Sequence, residues 1–388
     1  MKQLLLTVFA LGFWFFLPAQ IITGAEQTER YLSLLQNKRV AVCFNPTSVI
    51  GKTHLVDTLL SADINIVKIF APEHGFRGEA EAGAIIQSAM DAKTGIPIVS
   101  LYGKNKKPTP EQLKGVDIVL FDIQDVGCRF FTYISTLHYV MEATAAAKIP
   151  VLILDRPNPN GYFVDGPVLE EKFKSFVGMH PVPVVHGMTI GEYAQMINGE
   201  KWLENNLVCE LKIIECENYT HNSRYSLPVK PSPNLNSDEA IYLYPSLCLF
   251  EGTDISLGRG TLTPFQIFGH PNLTVGNFYF TPEPIKGVSE NPPQKGNKCR
   301  GFDLTQEARN NLQGNNSFNL SYLITAYKHF PKEMKFFTNP DFFDKLAGNS
   351  TLRWQIINGR TEEEIHTSWK PALDNFKKTR TKYLLYPE

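Results

Sequence analysis

The sequence predicts an α/β fold: a Rossmann-like, doubly wound and mostly parallel sheet, followed by a second, smaller α+β domain. Three observations predict it. Short runs rich in Val, Ile and Leu recur through the first half without polar alternation, as in strands buried on both faces. Stretches of helical spacing lie between them, the order that builds a parallel sheet. After Ser237 the texture changes, and Pro, Asn and Phe become frequent.

The apolar runs are Val40–Phe44, Ile64–Phe70, Ile96–Leu101, Val116–Phe121 and Ile149–Leu154, with Val182–Val185 as a further candidate. Helix candidates between them are His54–Ala62, Glu111–Lys114 and Thr132–Lys148. In the last, Ile134, Leu137, Val140 and Met141 recur at helical spacing. The second domain is expected over 237–388. Asn272–Asn297 reads as loop, Leu320–Phe330 and Thr361–Thr379 as helices, and Thr361 with Glu364 as a capping box opening the last one.

Composition narrows the class. The chain has 388 residues, 43% hydrophobic and 20% charged, with a formal net charge of −1. At about 100–200 residues per domain this length holds about two domains, and it needs no metal or disulfide to form a core. No basic cluster stands out, which argues against nucleic-acid binding. Lys2 followed by the apolar run Leu4 to Leu17 and then small residues reads as a secretory signal over residues 1–25, with a processing site at Ala25 or nearer Gln20. The run is shorter than the about 20 residues of a membrane helix. An exported protein, periplasmic or secreted, is the expectation, off the membrane once the signal is removed. Of the six cysteines none forms a CxxC pair, so a zinc ribbon is disfavoured and buried free thiols are expected.

The residues just beyond each predicted strand carry the chemistry. Asn45 comes after the first, Glu73 and His74 after the second, Asp122, Gln124 and Asp125 after the fourth, Asp155 and Arg156 after the fifth, and His186 after the Val182–Val185 run. Ligands of open parallel sheets bind outside the carboxyl ends of the strands, so these residues converge on one rim. Pro72–Gly78 puts a carboxylate, an imidazole and a guanidinium within one loop. Glu73 suits a general acid, and Arg77 a carboxylate clamp. Phe121–Tyr133 adds Asp122, Gln124, Asp125, Arg129 and several aromatics, whose faces suit sugar rings. Asp155–Gly161 adds Asn158. Glu170 and Glu192 each offer a second carboxylate, although Glu192, three residues after Thr189, suits a helix cap better. In the second domain Arg259 stands in a glycine-flanked loop.

Other chemistries are disfavoured. Pro46–Thr53 imitates a phosphate-binding loop, but Pro46 stands where that loop needs Gly. A dinucleotide fingerprint is absent after the first strand, and no Gly-x-Ser-x-Gly elbow is present. Asp-x-x-Asp alone is weak grounds for a metal.

Taken together, PEHG-x-RG at Pro72–Gly78, FDIQD-x-G-x-RF at Phe121–Phe130 and LDRPNP at Leu154–Pro159 resemble one family. So do DGP at Asp165–Pro167, HGMT-x-GE at His186–Glu192, PSPN at Pro231–Asn234 and SLGRGT at Ser256–Thr261. It is the exo-β-N-acetylmuramidase (NamZ) family. The resemblance covers nearly all of the chain beyond the signal. It implies a Rossmann-like domain, a smaller C-terminal domain and a cleft between them. It also implies exo-cleavage of β-1,4-linked N-acetylmuramic acid (MurNAc) from the non-reducing end of MurNAc–GlcNAc chains, the substrate being a peptidoglycan fragment. Glu73, Glu170 and His186 are then the candidates for catalysis. His74, Arg77, Asp122, Gln124, Asp125, Arg129, Asp155, Arg156, Asn158 and Arg259 are the candidates for the pocket. No metal or cofactor is implied. Two carboxylates are the usual equipment of a glycosidase, and their spacing separates retention from inversion. A 2-acetamido group can instead serve as internal nucleophile, and the sequence leaves the three routes open.

Overall fold

A computed structural model describes residues 19–73, 75–77, 89–314 and 317–388. The first half supplies a central sheet. Its strands are β1 (Val40–Phe44), β4 (Ile66–Ala71), β5 (Ala89–Met90), β6 (Pro97–Ser100), β7 (Ile118–Asp122), β8 (Val151–Leu154) and β9 (Leu211–Ile214), with a small hairpin β2 (Val49–Ile50) and β3 (Thr53–His54) between the first two. The order across the seven-stranded sheet is β5-β6-β4-β1-β7-β8-β9. Every pairing is parallel except β5 with β6 at one edge. Without that edge strand, the parallel strands run third, second, first, fourth, fifth, sixth in chain order. This is the doubly wound arrangement, with its topological switch point between β1 and β7.

The apolar runs become strands because both faces of the sheet are covered. β1, β7 and β8 are buried at every position. On one face pack α1 (Thr28–Leu35) and α2 (Leu55–Ser61), whose Tyr31, Leu35, Val56 and Leu59 share a core with Val40, Val42 and Ile69. On the other face lie α4 (Tyr133–Ala147) and α5 (Ile190–Gly199). The short α3 (Pro110–Leu113) opens on a capping box between Thr109 and Gln112. α5 opens on a capping box between Thr189 and Glu192, which is the cap that the Thr189–Glu192 spacing predicts.

One expectation about this half needs correction. Val182–Val185 forms no strand. Val185 makes isolated bridges to Cys128 and Asp165, and the sixth parallel strand is β9. Chain ahead of residue 26 packs on the sheet. Ile22 and Glu217 exchange both backbone bonds (3.1 and 2.8 Å), the Gly24 N–H donates to the Asp155 carbonyl at 2.9 Å, and Ala25 is buried.

The second half is helical around a small antiparallel sheet. Its helices are α6 (Asp238–Leu247), α7 (Thr305–Asn311), α8 (Ser321–Lys328), α9 (Pro340–Ala347), α10 (Thr351–Ile357) and α11 (Glu362–Arg380). The sheet order is β10-β12-β11, from β10 (Ile267–His270), β11 (Phe278–Phe280) and β12 (Cys299–Asp303). Thr361 and Glu364 form the expected capping box of α11. One hydrophobic core runs from the α4–α5 face of the large sheet into this half, joining Leu137 and Met188 to Phe250, Phe318 and Leu373. After α11 the chain returns to the first half. Arg380 donates from Nη2 to the Gly187 carbonyl at 2.6 Å, and the Tyr386 hydroxyl reaches Asp155. All six cysteines are free and buried. Among the described residues no helix is long and apolar enough to cross a membrane.

Candidate active-site cleft

A cleft of about 300 Å³ opens between the two halves. From the large sheet it takes Glu73, Tyr102 and the Phe130–Tyr133 segment; from the second half it takes Tyr244, Glu251, Arg259 and Phe265.

Glu73 follows β4. The Gly75 N–H donates to the Pro72 carbonyl at 3.1 Å, closing a turn with Glu73 as its second residue. Gly75 has φ +78°, a left-handed backbone that favours glycine, so the PEHG spacing is what sets the carboxylate there. Thr132, the residue before α4, donates from Oγ1 to Glu73 Oε2 at 3.3 Å. Tyr102 faces the same carboxylate: burial, and then the charge and hydrogen bond of Glu73, push its hydroxyl well above the ordinary phenol range. Glu73 therefore meets hydroxyl donors from two elements.

Across the cleft, Arg259 lies between Gly258 (φ +69°) and Gly260 (φ +80°), whose left-handed turns put the side chain over the cleft wall. Its guanidinium pairs with Glu251, on the short 3-10 turn Cys248–Gly252 that continues α6, and its Cζ sits 5.0 Å from the centroid of the Phe265 ring. Burial opposes the Arg259 charge, and the Glu251 carboxylate overrides that and holds the guanidinium pKa up. Edge-to-face aromatic pairs join the two sides: Tyr133 with Phe131 (4.9 Å), Phe131 with Tyr244 (5.9 Å) and Tyr244 with Phe265 (5.1 Å). Among the described residues the cleft thus carries a carboxylate on each side, one cation and a ladder of rings, which suits a sugar with apolar faces and polar edges.

Of the residues expected from the sequence, the structure brings Glu73 and Arg259 to this cleft. The rim residues mostly bond one another. Arg156 clamps Asp122 through Nε and Nη2 (2.5 and 2.8 Å) and donates to the Val49 carbonyl, in the switch-point crevice itself. Gln124 Nε2 donates to the carbonyls of Asp125 and Pro157. Asp155 accepts from Thr189 Oγ1, the Gly191 N–H and the Tyr386 hydroxyl. Asn158 Nδ2 donates to the Met188 carbonyl, and its Oδ1 accepts from the Asn160 N–H. Arg129 is fully buried and donates to the carbonyls of Pro167, Val182 and Leu346, tying the two halves together. Arg77 forms a two-bond ion pair with Asp91 at 2.9 Å, outside the cleft.

The other two catalytic candidates stand elsewhere. Glu170 is exposed and pairs with Lys172 at 3.1 Å. His186 is buried against Tyr193, and burial, with the Arg380 and Arg129 charges, pushes its pKa down to about 3. Its Nε2 lies 3.9 Å from Asp125 Oδ2, and burial pushes that carboxyl up to about 7. Glu192 caps α5 and pairs with His221 at 2.9 Å. His74 lies outside the described residues. Glu251 is the cleft residue that the sequence reading passed over. The signal for it was its place eight residues before Arg259 in one glycine-rich segment, where an acid and a cation can close on each other.

Comparison with known proteins agrees with this picture. The family described as "Exo-beta-N-acetylmuramidase NamZ, N-terminal" matches residues 40–239, and its C-terminal counterpart matches 242–386. The chain is similar to the peptidoglycan beta-N-acetylmuramidase NamZ of Bacillus subtilis (strain 168), with 41% identity over 375 residues, 92% of this chain and 89% of that protein. Among solved structures it resembles a DUF1343 family protein from Bacteroides fragilis NCTC 9343, with a TM-score of 0.87 and 47% identity over 95% of this chain and all of that one. A second DUF1343 protein of the same strain gives a TM-score of 0.79 and 28% identity over 94% of this chain and 99% of that one. Motifs, fold and relatives agree, and the chain belongs to the exo-β-N-acetylmuramidase NamZ family.

Proposed function

We infer that the protein is an exo-acting glycoside hydrolase that releases terminal β-1,4-linked MurNAc from the non-reducing end of peptidoglycan fragments such as MurNAc–GlcNAc. The observation that carries this reading is Glu73, set by the Pro72–Gly75 turn into an aromatic cleft beside Thr132 and Tyr102. In this reading Glu73 protonates the glycosidic oxygen as its bond to C1 breaks. The Tyr133, Phe131 and Tyr244 rings flank the sugar and exclude water. Arg259 is the cation placed to meet the lactyl carboxylate that distinguishes MurNAc from GlcNAc. The protein acts outside the cytoplasm, in the periplasm or as a secreted enzyme, where such fragments arise, after removal of the segment preceding the packed Ile22–Ala25.

The test is product analysis by mass spectrometry after incubating the purified chain, beginning at Gln20, with MurNAc–GlcNAc and separately with GlcNAc–MurNAc. Free MurNAc and GlcNAc from the first, with the second left intact, is the expected result. Binding of MurNAc–GlcNAc without cleavage would replace the enzyme with a sugar-binding protein on the same scaffold.

A further inference from the structure

Glu251 and Arg259 form the polar wall of the cleft opposite the Glu73 side. Glu251 Oε1 is taken by the Arg259 guanidinium, while Oε2 lies at a long contact (3.9 Å) from Cys248 Sγ. One carboxylate oxygen is therefore anchored on Arg259, and the residue lines the cleft. Glu251 also sits on a rigid base: Cys248, Leu249 and Phe250 of its turn are buried in the core, and a Cβ on Gly252 would lie 2.5 Å from that of Phe343. The two cleft carboxylates have different partners. Glu73 faces the hydroxyls of Thr132 and Tyr102, whereas Glu251 faces a guanidinium. Carboxylates in contrasting environments divide the acid and anion roles of glycoside cleavage.

We propose that Glu251 is the second catalytic carboxylate, the anion that meets the positive charge developing at the anomeric carbon, and that Arg259, besides meeting the lactyl carboxylate, holds Glu251 in place. This rests on the muramidase reading above. The C1–O bond breaks, its electron pair stays on the leaving oxygen, and that oxygen takes the Glu73 proton. One water is consumed in the whole reaction: its hydroxyl joins C1, and its remaining proton replaces the one Glu73 gave up. Both carboxylates end as they began.

The experiment measures turnover of 4-nitrophenyl β-MurNAc and of MurNAc–GlcNAc by the wild type and by Glu251→Ala, Glu251→Gln, Arg259→Met and Glu73→Gln, with circular dichroism to check folding. Loss of Glu251 is expected to lower kcat on both substrates by about 10²–10⁴-fold with KM little changed. Sodium azide, a small anion that fits the space of the missing carboxylate, is expected to restore turnover in Glu251→Ala and not in Glu251→Gln, where the space is filled. Near-normal kcat in Glu251→Ala overturns the proposal. So does a loss in Glu251→Ala that Arg259→Met reproduces and azide leaves unchanged, because Glu251 would then act only by holding Arg259. The two readings fail separately. A wild type that cuts neither substrate removes the muramidase reading, while an active wild type with an active Glu251→Ala removes only this one. Glu73→Gln keeps turnover of the nitrophenyl glycoside, whose leaving group needs no proton, and loses that of the disaccharide.

Discussion

The Tyr386 hydroxyl donates to Asp155 Oδ2 at 2.6 Å across 231 residues of sequence. Asp155 follows β8 of the large sheet, and Tyr386 lies beyond the last helix, so the bond fastens the returning end of the chain to the sheet. Burial pushes the Asp155 carboxyl up to about 6, even with Thr189, Tyr386 and Gly191 donating to it. Tyr386→Phe removes one donor and leaves the ring in place against Tyr219. The expected loss is about 1.5–3 kcal/mol, the range for a hydrogen bond to a charged group, read from urea unfolding. Activity of the folded fraction is expected to stay unchanged.

Arg129 is a clamp between the halves, since its guanidinium donates to carbonyls from Pro167 and Val182 on one side and Leu346 on the other. Arg129→Met leaves the Pro167 and Leu346 carbonyls without this donor, while the Val182 carbonyl keeps the Leu169 N–H (3.1 Å). At about 1–3 kcal/mol for each unsatisfied group, the substitution is expected to lower stability by at least about 2 kcal/mol. A urea midpoint within error of the wild type would show that the carbonyls find other donors.

Asp125 and His186 oppose each other in pH dependence. The Asp125 carboxyl is pushed up to about 7, so the folded state holds its proton where the unfolded state has lost it, and stability falls as pH rises from about 4 to 7. The His186 pKa is pushed down to about 3, so the unfolded state holds the proton, and stability falls as pH drops from about 6.5 to 3. The slopes, about 1.4 kcal/mol per pH unit each, have opposite signs across the shared window. Asp125→Asn keeps an acceptor for the Gly127 N–H, which donates to Asp125 at 2.6 Å, and removes one slope. The stability of this variant relative to wild type is expected to rise steadily from pH 4 to 7, measured by unfolding at each pH. A flat difference would place the titrations elsewhere.

At the proposed acid, Glu73→Gln is expected to lower kcat on MurNAc–GlcNAc by about 10²–10⁴-fold with an unchanged melting temperature. Thr132→Val removes the 3.3 Å hydroxyl bond to Glu73 and keeps the shape. A net hydrogen bond of about 1.5 kcal/mol corresponds to a loss of about tenfold in kcat/KM. A Thr132 variant as inactive as Glu73→Gln would mean that the hydroxyl itself touches the substrate.

At the amino end, mass spectrometry of the exported protein is expected to show a start nearer Gln20 than Glu26. A chain beginning at Glu26 lacks the Ile22–Glu217 pairing and the Gly24 bond to Asp155. It is expected to unfold at lower urea concentration, and equal midpoints would show that this segment adds nothing.

The sequence by itself determined the parallel sheet, because strands buried on both faces read as near-continuous apolar runs, and Val40–Phe44, Ile118–Phe121 and Val151–Leu154 do. It determined the caps of α5 and α11, because a Ser/Thr hydroxyl and a Glu three residues on satisfy the first backbone N–H groups locally. It placed Glu73, whose turn needs only Pro72–Gly75. β9 reads in sequence as a possible strand but not as a member of the parallel sheet, because its Lys212 is exposed and its run alternates like an edge strand. Only the tertiary structure decided which polar residues at the strand ends face a cleft and which face one another. Asp122 and Arg156 are 34 residues apart, and Asp155 and Tyr386 far more, and in sequence each reads as an open functional group. A buried polar group is stable only when paired, and the partner is supplied by whatever element the fold brings near. Burial closed the crevice over Asp122, Gln124, Asp155 and Arg156, and the packing of α6 and the Gly258–Gly260 loop against the aromatic ladder brought Glu251 and Arg259 to the cleft that Glu73 enters.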